Sequence, residues 1–388
     1  MPMSDRPAAH TFDVAVVGGG PAGSATARRL ASHGCHVALI DRSRFDAPRV
    51  GESLVPSVQP LLRELGVWRE FLALAPLQSH GTRSLWGELT PQAHSHLWSP
   101  WGCGWHVDRL AFDRMLVDAA RRAGATFFSA TVICDCKRSI RGWTLKLMKR
   151  YDDGHEDSSQ VQAKVLIDAT GRGAQLGPWV GAHRFKLDHL VAAALHVCGI
   201  DTAGEGYVMV ETTADGWWYT SPVPDGGMMV MLMTDGDLCG RACLRTSGAW
   251  WERLQSAAAT RARIGRGSTV WGPSVFSAVS QRLRRHDRHS PWLAVGDAAL
   301  AVDPVSGNGV VRALRSARTG AETTLAMLEG HAQAIDEYEA DRDIECTAYL
   351  HERMLYYGIE TRWERYPFWQ RRSPSRANDR DVSFAKTS

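Results

Sequence analysis

The segment Phe12–Gly23 (FDVAVVGGGPAG) constrains the fold more than any other part of this chain. Its apolar run, Phe12–Val17, has the length of a buried strand and ends in Gly18-x-Gly20-x-x-Gly23. Pro21 to Ser32 reads as a helix closed by Gly34, and His36–Ile40 supplies a second apolar strand. Together they predict a βαβ unit of about 30 residues. The first glycine suits a tight turn, the second lets a pyrophosphate approach the backbone, and the third permits close helix–strand packing. The helix N-terminus then faces the phosphates. Asp41 ends the second strand and can hold a ribose hydroxyl pair. A dinucleotide-binding α/β fold follows.

The remaining pattern predicts a helix over 56–72, irregular surface or pocket structure over 76–106, and a helix capped by Asp108 that stops near Gly124. Trp143, Leu145 and Leu147 alternate as a strand, 152–157 turns, and Ala163–Asp168 is an apolar strand. Between Leu190 and Val279 the runs VAAALHV, YVMVET, WWYTSPV and MMVMLMT, split by ADG and PDGG, predict an antiparallel sheet with one helix around Ala249–Arg263. Met228, Met229, Met231 and Met233 fit a packed strand. A strand at Trp292–Val295 and helices over 308–328 and 332–357 complete the α/β part.

Val165–Gly171 (VLIDATG) and Trp292–Gly309 (WLAVGDAALAVDPVSGNG) resemble the second and third FAD signatures of the p-hydroxybenzoate-hydroxylase-like flavoproteins. That resemblance implies a Rossmann-like FAD-binding domain, an antiparallel substrate domain and a C-terminal helical segment. The FAD-binding domain is expected from 1–75, 101–180 and 286–330, with a pocket insertion at 76–100. The substrate sheet is expected over 181–285, the helical segment over 331–370 and a flexible tail over 371–388. In the first motif the cofactor contacts would be Gly18, Gly20, Pro21, Ala22, Gly23, Asp41 and Arg42. Arg49, Glu52 and Ser53 would follow in a loop beside the flavin, and Arg109 at a helix start. Asp168 and Gly171, then Gly296 and Asp297, the latter on the ribityl chain, come next. Pro304, Gly307, Asn308 and Gly309 would open a helix aimed at the isoalloxazine. No second G-x-G-x-x-G occurs, so electrons would come from transient NAD(P)H contact or a partner flavin reductase, with O2 as co-substrate.

Gly216–Pro222 (GWWYTSP) only half matches the Gly-Trp-x-Trp-x-Ile-Pro motif of flavin-dependent tryptophan halogenases. Those enzymes need an active-site lysine, and the first lysine here is Lys137. The segments GTRSLWG (81–87), GWHVDRLAFDRML (104–116), GWWYTSPVPDG (216–226) and ERYPFWQRR (364–372) resemble flavoproteins that oxidise a tryptophan inside a peptide or protein during tryptophylquinone biogenesis. The implied function is hydroxylation of such a tryptophan through a flavin C4a-hydroperoxide, with Glu52, His106 and Trp218 as candidate catalytic or stacking residues. Fifteen tryptophans among the aromatic residues suit an aromatic-lined pocket, although core packing accounts for any single one. The alternatives are a monooxygenase, halogenase or reductase for a free small molecule, and a non-catalytic flavin-binding maturation chaperone.

Composition narrows the partners. A net charge of +3 points to no nucleic acid, and no apolar run reaches membrane-span length. Residues 1–11 lack a basic and apolar leader, which predicts a cytoplasmic protein. Eight scattered cysteines, without CxxC or a Cys/His cluster at zinc spacing, predict reduced, mostly buried thiols and no metal.

Overall fold

The computed structural model describes residues 9–200, 204–265, 267–287 and 289–373. β1 (Ala9–Val17), α1 (Pro21–Ser32) and β2 (Val37–Ile40) form the expected βαβ unit, with the two strands parallel. β3 (Ser53–Leu54) leads to α2 (Val58–Glu64) and α3 (Trp68–Ala73). The single helix predicted over 56–72 is thus two, because Gly66 turns the chain at φ +71°.

The supposedly irregular 76–106 segment holds β4 (Leu77–Ser79), β5 (Gly81–Leu85), β6 (Gln92–Ser95) and β7 (Gly104–His106). These strands are short and their apolar alternation is weak, so pairing with distant segments defines them. α4 (Arg109–Arg122) starts where Asp108 accepts the Leu110 and Ala111 N–H groups at 2.8 and 3.4 Å. β8 (Thr126–Phe128), β9 (Thr131–Ser139), β10 (Gly142–Arg150) and β11 (Glu156–Asp168) follow. β11 extends well before the predicted Ala163 and lies parallel to β1, so the first sheet runs β8-β2-β1-β11-β10-β9. Val14, Val16, Leu39 and Ile167 fill its helix-covered face.

After α5 (Gly177–Val180) and β12 (His183–Lys186), the second sheet begins with β13 (Leu190–Cys198), β14 (Tyr207–Thr213), β15 (Gly216–Pro222) and β16 (Met228–Asp235). Then come α6 (Gly236–Arg241), α7 (Ser247–Leu254), α8 (Ala258–Ile264) and β17 (Ser268–Ser277). The one helix predicted around 249–263 is divided because the Glu211 carboxylate, from β14, accepts the Ala259 and Thr260 N–H groups at 3.1 and 2.7 Å and starts α8 there. The strand order is β17-β13-β16-β15-β14-β5-β6, antiparallel except for β14 against β5. All eight β16 residues are buried, the methionines included.

Pleating sorts this sheet into two faces. Trp217, Met229, Met231, Ala192 and Ala194 pack with Trp86, Tyr357, Phe368 and Trp369. Trp218, Met228, Val230, Ala193 and Leu195 pack with Trp250 and Leu254 of α7. β18 (Gln281–Arg284), β19 (Trp292–Ala294, parallel to β11), β20 (Leu300–Ala301), α9 (Gly309–Leu328), α10 (Ala334–Gly358) and α11 (Pro367–Gln370) complete the chain. Arg371 and Arg372, expected in a flexible tail, are instead held in place. Arg372 is buried and holds Asp235 Oδ1 at 2.7 Å, and Arg371 reaches both Asp235 and Asp237 at 2.7 Å. Residues 374–388 lie outside the described residues. Of the eight cysteines, all free, only Cys136, Cys239 and Cys346 are buried, so most thiols lie nearer the surface than expected.

Candidate flavin site and the polar cluster beside it

The glycine turn after β1 is built as its spacing requires. A Cβ on Gly18 would stand 2.2 Å from the Ala169 carbonyl oxygen, and one on Gly23 1.8 Å from the Gly18 oxygen. A Cβ on Gly20 would meet nothing within 4 Å. The first and third glycines are therefore required by the fold itself, while the second faces open space. Gly20 also occupies the N-cap of α1 without a side-chain cap, which leaves N–H donors for an anion. Pro21 and Ala22 form the first turn of that helix. Asp41 is held in place by the Gly19 N–H at 2.5 Å and the Ser43 N–H at 2.7 Å, and keeps lone pairs for a ribose. Arg42 beside it is exposed.

A second cradle lies at α9. Gly296 (φ +60°) and Gly307 (φ +62°) take conformations that favour glycine. Gly309 faces open space and Asn308 provides no side-chain cap, so the α9 N-terminus is again uncapped. The Asp303 carboxylate sets the Pro304–Ser306 turn by accepting the Val305 N–H at 3.0 Å. The Asp297 carboxylate is one-third exposed, 3.4 Å from Arg172 Nε. Two uncapped helix ends, two open glycines and an available carboxylate fit a dinucleotide whose phosphates meet α1 and whose ring meets α9.

Other expected contacts are used within the protein. The fully buried Asp168 accepts the Thr170 N–H at 2.9 Å, the Thr170 hydroxyl at 2.6 Å and the Leu176 N–H at 3.1 Å. Its carboxylate shapes the loop containing Gly171 (φ +62°). Arg109 donates to the Val50 and Gly51 carbonyls at 2.8 and 2.9 Å and to Asp113. Arg49 holds Asp113 at 2.6 Å and lies over the Phe45 ring. Both arginines thus anchor the 49–53 loop on Asp113, a buried acid that sequence reasoning missed because it stands inside an ordinary helical run.

That loop meets the second sheet in a buried polar cluster. Ser53 pairs with His106 in the β3–β7 ladder. His106 is hydrogen-bonded through Nδ1 to Ser221 Oγ at 3.0 Å, and its Nε2 has no well-formed partner. Glu52 accepts the Gly51 N–H at 3.0 Å through Oε2, whereas its Oε1 is buried without a well-formed hydrogen bond. Tyr219 faces Glu52, Ser53 and Ser221. Burial raises the Glu52 pKa against the lowering effect of Tyr219 and the backbone. Burial, then the Glu52 charge, puts the Tyr219 hydroxyl well above its usual range. Glu52 and His106 are thus brought together, but Trp218 is not. Period-two pleating sends Tyr219 and Ser221 to this face and turns Trp218 onto Trp250, ring centroids 5.1 Å apart. The neighbouring indole, Trp217, donates to the Tyr357 hydroxyl at 3.1 Å, which donates to Asp303 at 2.8 Å. This chain ties the second sheet to the turn that opens α9.

Burial lowers the His106 pKa to about 4, below the roughly 6.5 of an unfolded histidine. The unfolded state therefore binds the extra proton first, and stability falls as pH drops from about 6.5 to about 4. The total is about 3 kcal/mol. Glu52 contributes with the opposite sign, so the comparison of His106→Gln with the parent isolates the histidine. Denaturant unfolding across this window should show a flatter acid limb for the variant; parallel curves would show that His106 does not titrate with folding.

A family model described as FAD binding domain matches residues 11–351, and the chain belongs to that family of flavoproteins. Among individual relatives, the LodB protein of Marinomonas mediterranea is 28% identical over 94% of this chain and 97% of its own. The 1H-pyrrole-2-carbonyl-[peptidyl-carrier protein] chlorinase of Pseudomonas fluorescens is 27% identical over 81% of this chain and 75% of its own. The myxobacterial chondrochloren halogenase CndH shares the fold, with a TM-score of 0.83, 22% identity, and coverage of 97% and 90% of the two chains. The peptidyl tryptophan dihydroxylase QhpG aligns with a TM-score of 0.66 and 25% identity over 93% of this chain and 78% of its own. The relatives thus include several halogenases, and the family does not single out the tryptophan-oxidising branch. Among the described residues no helix is long and apolar enough to cross a membrane.

Proposed function

We propose that this flavoprotein is a monooxygenase that hydroxylates a tryptophan side chain in a peptide or protein precursor. The observation that carries this reading is the absence of lysine from all seven strands of the second sheet and from residues 1–136. Halogenating relatives, as the family resemblance implies, work through an active-site lysine; the face beside Glu52 and Tyr219 offers carboxyl, phenol, hydroxyl and imidazole groups instead. Similarity to the peptidyl tryptophan dihydroxylase supports the choice of substrate.

Bound FAD, once reduced, supplies the oxygen activation. The chain's own residues do the rest. The aromatic wall of Trp86, Trp217, Tyr357 and Trp369 excludes water. Glu52 Oε1, buried and without a well-formed hydrogen bond, accepts the proton that leaves the attacked indole carbon when Glu52 is ionised. Ser221 holds the His106 ring in one orientation. Electrons come from NAD(P)H in transient contact or from a partner flavin reductase, in a cytoplasmic setting. The same reading assigns 1–75, 101–180 and 286–330 to the FAD-binding unit and 181–285, with the insertion at 76–100, to the substrate unit.

The FAD-loaded protein should be incubated with O2, NADH or NADPH, a flavin reductase and a tryptophan-containing precursor peptide. The expected result is oxygen added to the tryptophan, located by fragmentation mass spectrometry, and none on a peptide with phenylalanine in its place. Chlorination of a carrier-bound aromatic in chloride buffer, with the peptide unchanged, would overturn the reading in favour of halogenation. Oxidation of free aromatics alone would move the substrate to a small molecule.

A further inference from the structure

We infer that His196, Cys198 and Asp225 form a binding site for a zinc-type divalent cation at the rim of the second sheet. The site is independent of the tryptophan reading. His196 and Cys198 stand two apart near the end of β13, so pleating puts them on one face. Asp225 comes from the turn between β15 and β16, 27 residues beyond Cys198. That separation is why no zinc spacing is visible in the sequence.

Two of the three donor separations are close to the edges of a metal tetrahedron. His196 Nε2 lies 3.4 Å from Asp225 Oδ2 and 3.8 Å from Cys198 Sγ, and all three ligand atoms fall within 4.8 Å of one another. Bonds of about 2.3 Å to sulfur and about 2.0–2.1 Å to nitrogen or oxygen, set at tetrahedral angles, place nitrogen and oxygen about 3.4 Å apart and nitrogen and sulfur about 3.6 Å apart. Two further observations point the same way. The other Asp225 oxygen, Oδ1, accepts the Gly227 N–H at 3.0 Å, which orients Oδ2 toward the histidine as outer-shell bonds do in metal sites. A Cβ on Gly227 would fall 2.3 Å from His196 Nε2 and 2.8 Å from Cys198 Sγ. Glycine at 227 is what lets the two donors converge beneath the turn.

Imidazole, thiolate and carboxylate together suit zinc better than magnesium or calcium, which prefer oxygen alone. Three protein ligands leave a fourth position for water, and binding releases the Cys198 thiol proton to solvent. His196 and Ser221 both pair with Met229, so the cation would stand two strands, about 10 Å, from the His106 partner. It would clip the 223–227 turn to β13 beside the face that carries Glu52 and Tyr219.

The test is calorimetric titration of the chelator-treated, FAD-loaded protein with zinc chloride, followed by zinc-edge X-ray absorption on the loaded sample. One equivalent is expected, with one sulfur in the first shell. Cys198→Ser and His196→Ala should each bind roughly 100-fold more weakly, and Asp225→Asn roughly 10-fold. Melting curves and flavin content of the metal-free variants show whether they are folded. Should Cys198→Ser or His196→Ala fail to fold, the sulfur shell of the parent protein decides. No binding by the parent, unchanged affinity in folded Cys198→Ser, or a zinc shell without sulfur would overturn the assignment.

Discussion

Protein purified with Gly20→Trp should be colourless. The indole would enter the open space in front of the α1 N-terminus, where a Cβ meets no neighbour, so the fold survives while the pyrophosphate is excluded. A loss of more than about 90% of bound FAD is expected, because this is the glycine that lets phosphate reach the backbone. The readout is the flavin-to-protein absorbance ratio, with circular dichroism to show that the chain is folded. Asp297→Ala should lower FAD content less severely, since one ribityl contact is removed and the cradle stays open. Gly18→Ala is the contrasting control: its Cβ would strike the Ala169 carbonyl at 2.2 Å, and it should impair folding as well as colour. Full flavin content in both Gly20→Trp and Asp297→Ala would refute the cofactor placement.

Asp235→Ala is expected to destabilise the protein by about 3–5 kcal/mol, the usual result of removing one partner of a buried ion pair. Burial works against the Asp235 charge, but Arg372 and Arg371 hold its pKa below the ordinary range. Without that carboxylate the buried Arg372 guanidinium, 3.7 Å over the Phe368 ring, loses its counter-charge. The same segment carries Trp369, whose indole donates to the Thr213 carbonyl at 2.8 Å and whose ring lies 5.5 Å from Trp86. Release of this strap should loosen the aromatic face of the second sheet along with the fold. The measurement is the thermal inactivation midpoint of the FAD-loaded protein; a shift no larger than that of the exposed Arg241→Ala would show that the pair contributes little.

The first of these predictions rests on what the sequence makes legible; the second rests on an ion pair at residues expected to lie in a flexible tail. Gly18, Gly20 and Gly23 act within six consecutive residues, and their roles follow from chain geometry between one strand and one helix. The uncapped α9 entrance at Asn308 and Gly309 was legible for the same reason. Asp168 was assigned to the cofactor from its motif, yet its carboxylate is taken up by Thr170 and Leu176. Arg49 and Arg109 are expected at the cofactor, and the structure joins both to Asp113; that shared partner is not visible in the sequence, because no local pattern separates a helical acid that binds two arginines from one that faces water.

The chain's order of apolar runs, glycine turns and helix signals therefore determined a dinucleotide-binding α/β unit and a mostly antiparallel second sheet. Those features depend on local spacing and side-chain periodicity. Only the tertiary structure decided which groups meet beside the flavin cradle. Ser53 pairs with His106 across about 50 intervening residues, and Ser221 reaches the same histidine from a strand more than 100 residues further on. The choice between Trp217 and Trp218 was likewise tertiary. Adjacent residues on a strand always face opposite ways, but which face looks toward Asp303 and which toward α7 is fixed by what packs on each side.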